Sequence, residues 1–360
     1  MQSTRGDQTT NDVKPSMTAL SVAMAFMRSL DTEYEYLFTK QELELIKHIC
    51  YVGKQSLVGM NWALGEGISA LPYSMQQSFF NFVVLPGYDQ IIMLRKLMVK
   101  NKIENAIKNG TKQIVFLGGG YDIRAFIISL TYPEVSIYEL DRGPTRESKL
   151  KGLKTIPKTM GFDGINIQEL STSSVIVNKN LYYIACDLSK DSLSEKLYEH
   201  GFSKENKTLI IAEGLTMYLS KDENQNLLLS LSKILDDESE LLLSYGSEIP
   251  HSKIAETSLK SSNEFYRFSL HPQKVISFVE GCGFSINAKF DVTTMLEKIG
   301  DSSASIYQKN DQNRPKEWYY SLQKLPSLKD NMTIDDIPSI DLEIPNKPVK
   351  EKSRSYCSLL

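Results

Sequence analysis

Cysteine and histidine are scarce in this chain, and neither forms a recognisable metal or disulfide pattern. The four cysteines, Cys50, Cys186, Cys282 and Cys357, are scattered over 360 residues, with no C-x-x-C pair and no neighbouring histidine. We therefore expect neither a disulfide framework nor a bound metal, and the spacing is typical of a reducing compartment.

An excess of positive charge and long apolar runs are also missing. The 41 Lys and Arg against 44 Asp and Glu give a net charge of −3, which disfavours nucleic acid as a partner because such partners normally require a basic surface. No stretch reaches the roughly 20 apolar residues of a membrane-spanning helix. The amino-terminal MQSTRGDQTTNDVKPS lacks the apolar centre of a secretory signal.

The periodicity of apolar residues divides the chain into four regions. Residues 1–16 are polar and aperiodic, which predicts disorder. Residues 17–110 space apolar residues at three and four positions and predict a helical cap. Residues 111–325 alternate strand and helix patterns and predict the core, and residues 326–360 are rich in Pro, Asp and Lys and predict a flexible tail.

The core region contains short, continuously apolar runs that predict buried strands. They are QIVFL (113–117), VSIYELD (135–141), LYYIACDL (181–188), TLIIAEGL (208–215) and ELLLSYGS (240–247), followed by FSINAKFDV and WYYSLQKL. Helical patterns lie between most of them. Because strands alternate with helices, we expect an α/β fold with a doubly wound, mainly parallel, seven-stranded sheet covered on both faces.

A glycine turn follows the first of these strands. Gly118 and Gly120 would let a ligand approach the backbone, and Glu139 and Asp141 end the next strand about twenty residues later, where an acid can bind ribose hydroxyls. A glycine-rich turn alone could be structural, but the two acids favour a nucleotide site. Ile123 stands where the dinucleotide fingerprint needs a small residue, which disfavours NAD and FAD.

These motifs occur in an order that resembles the leucine carboxyl methyltransferase family and its bacterial relatives. The shared stretches are IVFLGGGYDIRAF, VSIYELD, CDL and LIIAEGLTMYLS, over roughly residues 88–250. The resemblance implies a Rossmann-like class I methyltransferase that uses S-adenosylmethionine. Departures from the family pattern at Ile123, Ile127 and Arg142 bear on the substrate more than on the cofactor.

The resemblance also implies roles for individual residues in binding the cofactor. Gly118, with Gly120 in the same turn, would contact the cofactor, and Asp141, with Glu139 beside it, would bind the ribose. The other implied contacts are with the adenine (Asp187 and Leu188), the methionine part (Glu213) and the methionyl carboxylate (Arg95). A guanidinium suits that last role because it can bind a carboxylate with two parallel hydrogen bonds.

Structural explanations remain open for several of these residues. Arg95 could be a surface arginine on an amphipathic helix, and Asp187 could cap the following helix. Glu213 is harder to explain structurally, because an acid that ends an apolar strand is costly without a partner. Tyr218 and Tyr121 are candidates for the pocket, with Tyr218 the candidate catalytic residue, although buried tyrosines often only pack.

The sequence favours an oxygen nucleophile, and in particular a carboxylate. A carboxylate is already ionised and needs no general base. No motif marks a histidine as a general base; the four histidines are His48, His200, His251 and His271. The acceptor could be a protein carboxyl terminus or a small molecule. A catalytically silent S-adenosylmethionine-binding protein and, less favoured, an NAD-dependent oxidoreductase are the alternatives.

The last four residues, Cys357-Ser358-Leu359-Leu360, have the C-a-a-X form, and a terminal leucine favours geranylgeranylation. Lys347, Lys350, Lys352 and Arg354 precede them, and such a basic segment is the second signal that a single lipid needs for stable anchoring. We therefore expect lipidation by a prenyltransferase of a eukaryotic host and attachment to the cytosolic face of a membrane; without it, the expected location is cytoplasmic. Either a bacterial effector delivered into a host cell or a eukaryotic family member fits.

Overall fold

The computed structural model describes residues 15–29, 35–55, 75, 88–162, 164–246, 264–291 and 317–325. The predicted tail and Cys357 lie outside these residues, as do residues 1–14 of the predicted disordered region. The α-helices within these residues are α1 (Met17–Ser29), α2 (Lys40–Gln55), α3 (Tyr88–Lys108), α4 (Arg124–Thr131), α5 (Gly143–Lys154), α6 (Leu193–Tyr198), α7 (Lys221–Ile234) and α8 (Pro272–Glu280).

The strands form one sheet within the described part of the chain. They are β1 (Gln113–Leu117), β2 (Ser136–Asp141), β3 (Ile167–Ser171), β4 (Ser174–Val177), β5 (Leu181–Ala185), β6 (Thr208–Ala212), β7 (Glu240–Gly246), β8 (Phe284–Asp291) and β9 (Glu317–Lys324). Their order is β3-β4-β5-β2-β1-β6-β7-β9-β8. All seven strands predicted from the sequence are present.

The sheet confirms the Rossmann-like α/β prediction and corrects its strand number. Strands β5, β2, β1, β6 and β7 are parallel neighbours, and β9 inserts antiparallel between β7 and β8. These seven strands correspond to the predicted sheet. The described chain adds the antiparallel strands β3 and β4 beside β5, which makes nine. Polar, exposed residues dominate β3 (IQELS), so no apolar run marks it in the sequence.

Apolar layers cover both faces of the sheet, as continuous apolar strands require. In β1, Ile114 and Phe116 pack into one layer, and Val115 and Leu117 pack into the other, because successive side chains point to opposite faces. Helices α1 to α5 contribute to the first layer, and α6 to α8 contribute to the second. None of the described helices has the length and apolar character needed to cross a membrane.

The helices before the sheet pack against the glycine turn. A Cβ placed on Gly120 would lie 3.0 Å from the Cβ of Ala19 in α1, and one placed on Gly53 in α2 would lie 2.8 Å from the ring of Tyr121. The predicted helical cap therefore contacts the edge of the sheet where the candidate nucleotide site lies. The exact boundaries of the four predicted regions stay predictions.

Candidate functional site

A cavity of about 650 Å³ opens at the carboxyl ends of β1, β2, β5 and β6. Its volume is in the range of small-molecule sites, and the carboxyl edge of a parallel sheet is where ligands bind in open α/β folds. One wall is a stripe of α1, with Ala19, Val22, Ala23 and Phe26 spaced three and four residues apart. The opposite wall is polar and is built from the loops that follow the four strands.

The turn after β1 provides the floor of the cavity. Gly118 and Gly120 have φ of +68° and +55°, which an L-residue with a side chain rarely adopts. This backbone lets the N–H of Gly120 donate to Oδ2 of Asp141 at 2.6 Å. Both glycines line the cavity, and the turn leaves their backbone accessible to a ligand.

Asp141 ends β2 and lines the cavity beside this turn. Its other oxygen, Oδ1, accepts from the backbone N–H of Arg142 at 2.7 Å. Burial raises the pKa of Asp141, and the N–H donors of Gly120 and Arg142 oppose that rise. Each oxygen keeps a further acceptor position, so the carboxylate is oriented to accept hydroxyl donors from the cavity.

Glu139 does not line the cavity, although we predicted it as a ribose-binding residue with Asp141. Its carboxylate is buried beneath the turn, where both oxygens accept from Nζ of Lys149 at 2.6 and 2.8 Å. Burial raises the pKa of Glu139 to about 7, and the charge and hydrogen bonds of Lys149 oppose that rise. Glu139 therefore supports the turn from below.

Arg95 and Glu213 meet at the other end of the polar wall. Arg95 projects from α3, and its Nε donates to Oε1 of Glu213, which follows β6, at 2.5 Å. Nη1 of Arg95 also lies 3.3 Å from Oε2 of Glu317 at the start of β9. This arrangement contradicts the structural alternative of a surface arginine, because only 8% of the Arg95 side chain is exposed.

Three further residues complete this group of buried charges. Lys96 donates from Nζ to Oδ2 of Asp122 at 2.6 Å and to Oε1 of Glu213 at 2.7 Å. Arg124 bridges Asp122 and Glu213 through Nη2. We call Arg95, Lys96, Asp122, Arg124, Glu213 and Glu317 the buried charge cluster; its three cations balance its three carboxylates.

The cluster strongly shifts the titration of its members. Burial alone would raise the pKa of Glu213, but the cations of Arg124, Lys96 and Arg95 hold it well below its usual range. The pKa of Asp122 is likewise held well below its usual range by Arg124 and Lys96, against the effect of burial. Both carboxylates are therefore ionised at any physiological pH.

Asp187 and Leu188 border the cavity at its opposite end. Oδ1 of Asp187 accepts from the N–H and the hydroxyl of Ser189 at 3.0 and 2.6 Å, and Oδ2 pairs with Lys190 at 2.9 Å. The alternative that Asp187 caps the next helix is wrong, because Ser192 is the N-cap of α6. Asp187 instead orders its own turn at the edge of the cavity.

Tyr218, in the short turn after β6, also lines the cavity. Its ring centroid lies 5.3 Å from that of Tyr266. Burial raises the pKa of Tyr218 well above its usual value, with a hydrogen bond to Thr18 opposing the rise. The hydroxyl is therefore protonated at neutral pH and can act only as a neutral hydrogen-bonding group.

Glu264 closes one side of the cavity and was not predicted from the sequence. Its Oε2 accepts from the N–H and the hydroxyl of Thr18 at 2.9 and 2.7 Å. Its Oε1 accepts from Nη2 of Arg142 at 2.9 Å. The start of α1 is thereby tied to the loop after β2, directly over the floor of the cavity.

The structure brings together Arg95, Gly118, Gly120, Asp141, Asp187, Leu188, Glu213 and Tyr218 around one cavity, and leaves Glu139 beneath it. Sequence reasoning missed Lys96, Glu264 and the site role of Asp122 and Arg124. Asp122 and Arg124 belong to the quoted motif, so that signal was available; nothing in the sequence marks Lys96 or Glu264. The His, Cys, Asp and Glu residues of the described chain form no metal-binding group, and Cys50, Cys186 and Cys282 are free and buried.

Solved structures with similar folds have low sequence identity to this chain. A DUF574 family protein from Streptomyces avermitilis aligns with a TM-score of 0.47 at 14% identity, over 77% of this chain and 96% of that one. The O-methyltransferase of a trans-AT polyketide synthase from Brevibacillus brevis, in complex with S-adenosyl-L-homocysteine, aligns with a TM-score of 0.40 at 13% identity, over 65% and 76%. The fold assignment rests on the strand order given above.

Among curated proteins, this chain is similar to the "Putative S-adenosyl-L-methionine-dependent methyltransferase YktD" of Bacillus subtilis (strain 168), which is 23% identical over 146 residues. The alignment covers 41% of this chain and 42% of that relative, less than half of either protein. The sequence model of the leucine carboxyl methyltransferase family matches residues 70–232, which contain the glycine turn and all four predicted acids, three of which line the cavity. The sequence motifs predicted this similarity, and the match places residues 70–232 of this chain with the leucine carboxyl methyltransferase family model.

Proposed function

We propose that this protein is an S-adenosylmethionine-dependent O-methyltransferase. The observation that carries the proposal is the separation of polar groups along one cavity. Arg95 and Glu213 lie at one end, Asp187 and Leu188 lie at the other, and the Gly118–Gly120 turn with Asp141 lies between them. An extended ligand with an amino-acid part, a ribose and an adenine needs polar partners in that order.

The residues present suit each part of this donor. Asp141 would accept hydrogen bonds from the ribose hydroxyls, and Asp187 and Leu188 would border the adenine. Glu213 would face the ammonium of the amino-acid part and Arg95 its carboxylate, with partial exchange of their present ion pair. Gly118 and Gly120 line the middle of the cavity, where the centre of the donor would lie against their backbone. Bound there, S-adenosylmethionine supplies an activated methyl group.

The acceptor that we propose is a carboxylate, of a protein carboxyl terminus or a small molecule. Among the described residues that line the cavity, each carboxylate already accepts from protein donors, and no histidine is among them. Glu264, for example, is held by Thr18 and Arg142. An acceptor that is already ionised needs no base, so the chain's task reduces to aligning it with the donor, which can contribute roughly 7–11 kcal/mol to lowering the barrier.

Calorimetric titration tests the donor. We expect S-adenosylmethionine and S-adenosylhomocysteine to bind and NADH not to bind; binding of NADH alone would favour an oxidoreductase instead. Incubation with radiolabelled donor and a eukaryotic lysate then tests turnover. Release of S-adenosylhomocysteine with a base-labile label on the acceptor would support carboxyl methylation. Tight donor binding without release would favour the catalytically silent alternative.

We also propose that Cys357 is prenylated and that the basic residues before it help to hold the protein at a cytosolic membrane surface. The proposal rests on the C-a-a-X sequence and applies to a mature chain that ends at Leu360. Expression in eukaryotic cells followed by mass spectrometry tests it, with Cys357→Ser as the control. An intact Leu360 and an unmodified Cys357 would overturn it.

A further inference from the structure

Glu139 and Lys149 form a buried ion pair directly beneath the glycine turn, although neither residue lines the cavity. We propose that they are positioning residues, which hold the backbone of the glycine turn in the position that donor binding requires. They would thereby set the affinity for the donor without touching it. This inference rests on the proposed function, because it concerns the site for S-adenosylmethionine.

The carboxyl group of Glu139 is in direct contact with the middle of the turn. A Cβ placed on Gly119 would lie 2.5 Å from Cδ and 2.6 Å from Oε1 of Glu139. Real Cβ atoms do not approach other atoms so closely, so only glycine fits above this carboxyl group. The backbone of Gly119 therefore rests on the side chain of Glu139.

Lys149 fixes the carboxyl group from the other side. Its Nζ lies 2.6 Å from one carboxylate oxygen and 2.8 Å from the other, and 5.4 Å from the ring centroid of Tyr183. The Lys149 side chain is 0% exposed, and that of Glu139 is 3% exposed. If Glu139 rotated away, both charges would lose their partner inside the protein, which is strongly unfavourable. The position of the carboxyl group is therefore closely determined.

The position of the Gly119 backbone affects the hydrogen bonds of its two neighbours, Gly118 and Gly120. The N–H of Gly118 donates to the backbone oxygen of Leu140 at 2.8 Å, and the N–H of Gly120 donates to Asp141 at 2.6 Å. A shift of Gly119 would move both glycines relative to Asp141. Displacements near 1 Å at a binding site can cost about 100-fold in activity, so small changes beneath the turn should be measurable.

Stability alone is a poor explanation for a buried ion pair. Replacing both members by uncharged residues of similar volume is often neutral or stabilising, whereas removing one member is strongly destabilising. A pair that served only stability could therefore be exchanged for a neutral pair without loss of donor binding. A positioning pair could not be exchanged in this way, and that difference gives the test.

The first experiment uses the full chain with both residues neutralised, Glu139→Gln together with Lys149→Met. We expect its Tm without donor to stay near that of the wild type, and its Kd for S-adenosylmethionine, measured by calorimetry, to rise about tenfold or more. The matched control is Lys154→Met, which removes a partly exposed lysine of the same helix that pairs with Glu169. It should change neither value. An unchanged Kd in the double variant would overturn the inference.

A second experiment stays informative even if the double variant does not fold. Gly119→Ala places a Cβ against the carboxyl group, so we expect weaker donor binding. Glu139→Asp shortens the side chain by one methylene, and in the Gly119→Ala background it should recover part of the affinity. If the affinity did not recover, the contact with Glu139 would not be the reason why Gly119→Ala weakens donor binding. If the wild type itself did not bind S-adenosylmethionine, the proposed function would fail first, and the two failures are thus distinguished.

Discussion

Nε of Arg95 lies 2.5 Å from Oε1 of Glu213, and less than a tenth of either side chain is exposed. The two residues are 118 positions apart in the sequence, on α3 and after β6. Their contact therefore joins the helices before the sheet to its carboxyl edge. Because Glu213 also accepts from Lys96 and Arg124, it is the carboxylate on which three cations of the buried charge cluster depend.

Glu213→Gln should be strongly destabilising for this reason. The substitution keeps the size of the side chain but leaves three buried cations facing two carboxylates. Removing one partner from a buried ion pair costs about 3–5 kcal/mol, which urea unfolding would measure. The control is Glu238→Gln on the surface, where the pair with Lys207 is 3.6 Å apart and 78% of the Glu238 side chain is exposed. An equally small loss in both variants would show that the cluster is solvated.

Asp141→Asn should weaken donor binding as well as the fold. An asparagine has only one acceptor oxygen, so the N–H of Gly120 or of Arg142 loses its partner, at a cost of about 1–3 kcal/mol. We expect the Kd for S-adenosylmethionine to rise about tenfold or more, because the single amide oxygen cannot accept hydrogen bonds from two ribose hydroxyls as a carboxylate can. Asp236→Asn is the matched control, since Asp236 also accepts from a backbone N–H, that of Glu238, but does not line the cavity. Equal affinities in the two variants would argue against ribose binding at Asp141.

Glu264→Gln should loosen α1 without unfolding the sheet. The amide nitrogen of glutamine cannot accept from Thr18 or Arg142, so at least one of the three hydrogen bonds that tie α1 over the cavity is lost. We expect faster hydrogen exchange of the α1 amides, measured by mass spectrometry. Exchange in α7 serves as the internal control and should not change. Unaltered protection of α1 would mean that its apolar stripe alone holds it in place.

The buried charge cluster also predicts how stability depends on pH. The folded protein lowers the pKa of Asp122 and Glu213, so the unfolded chain binds their protons first as the pH falls. The ionised carboxylates stabilise the folded state fully above the ordinary carboxyl pKa near 4. This stabilisation is lost as the pH falls towards their lowered pKa values. We expect the free energy of unfolding to fall steeply below about pH 4 in urea titrations. The Asp122→Asn variant should be less stable than the wild type at pH 7, but its free energy of unfolding should fall less on acidification. An equal fall in the variant and the wild type would contradict the role given to Asp122.

The sheet and most of the site follow from particular features of the sequence. QIVFL and TLIIA are apolar throughout because helices cover both faces of the sheet, and this pattern defines β1 and β6. Residues that end neighbouring parallel strands must meet at one edge. The convergence of Gly118, Asp141, Asp187 and Glu213 could therefore be predicted before any side-chain contact was known.

Other features could not be predicted, because they depend on contacts between distant segments. Helix α5 buries Thr145, Arg146 and Lys149, so its apolar pattern is weak and the helix was missed. The direction of Glu139 depends on whether a cation lies beneath it, and nothing in β2 reveals that Lys149 does. Glu264 lies in a stretch without a readable pattern, and its role depends on Thr18, 246 positions earlier in the chain.

Glu317 belongs to the last described strand, yet its carboxylate lies beside Arg95 at the cavity. The segment that matches the family, residues 70–232, ends 85 positions before it. A chimera that joined this segment to the carboxyl-terminal part of a homologue would therefore exchange one of the three anions that neutralise Arg95, Lys96 and Arg124. Recombination between relatives should succeed only where the incoming strand brings an acid to the same place.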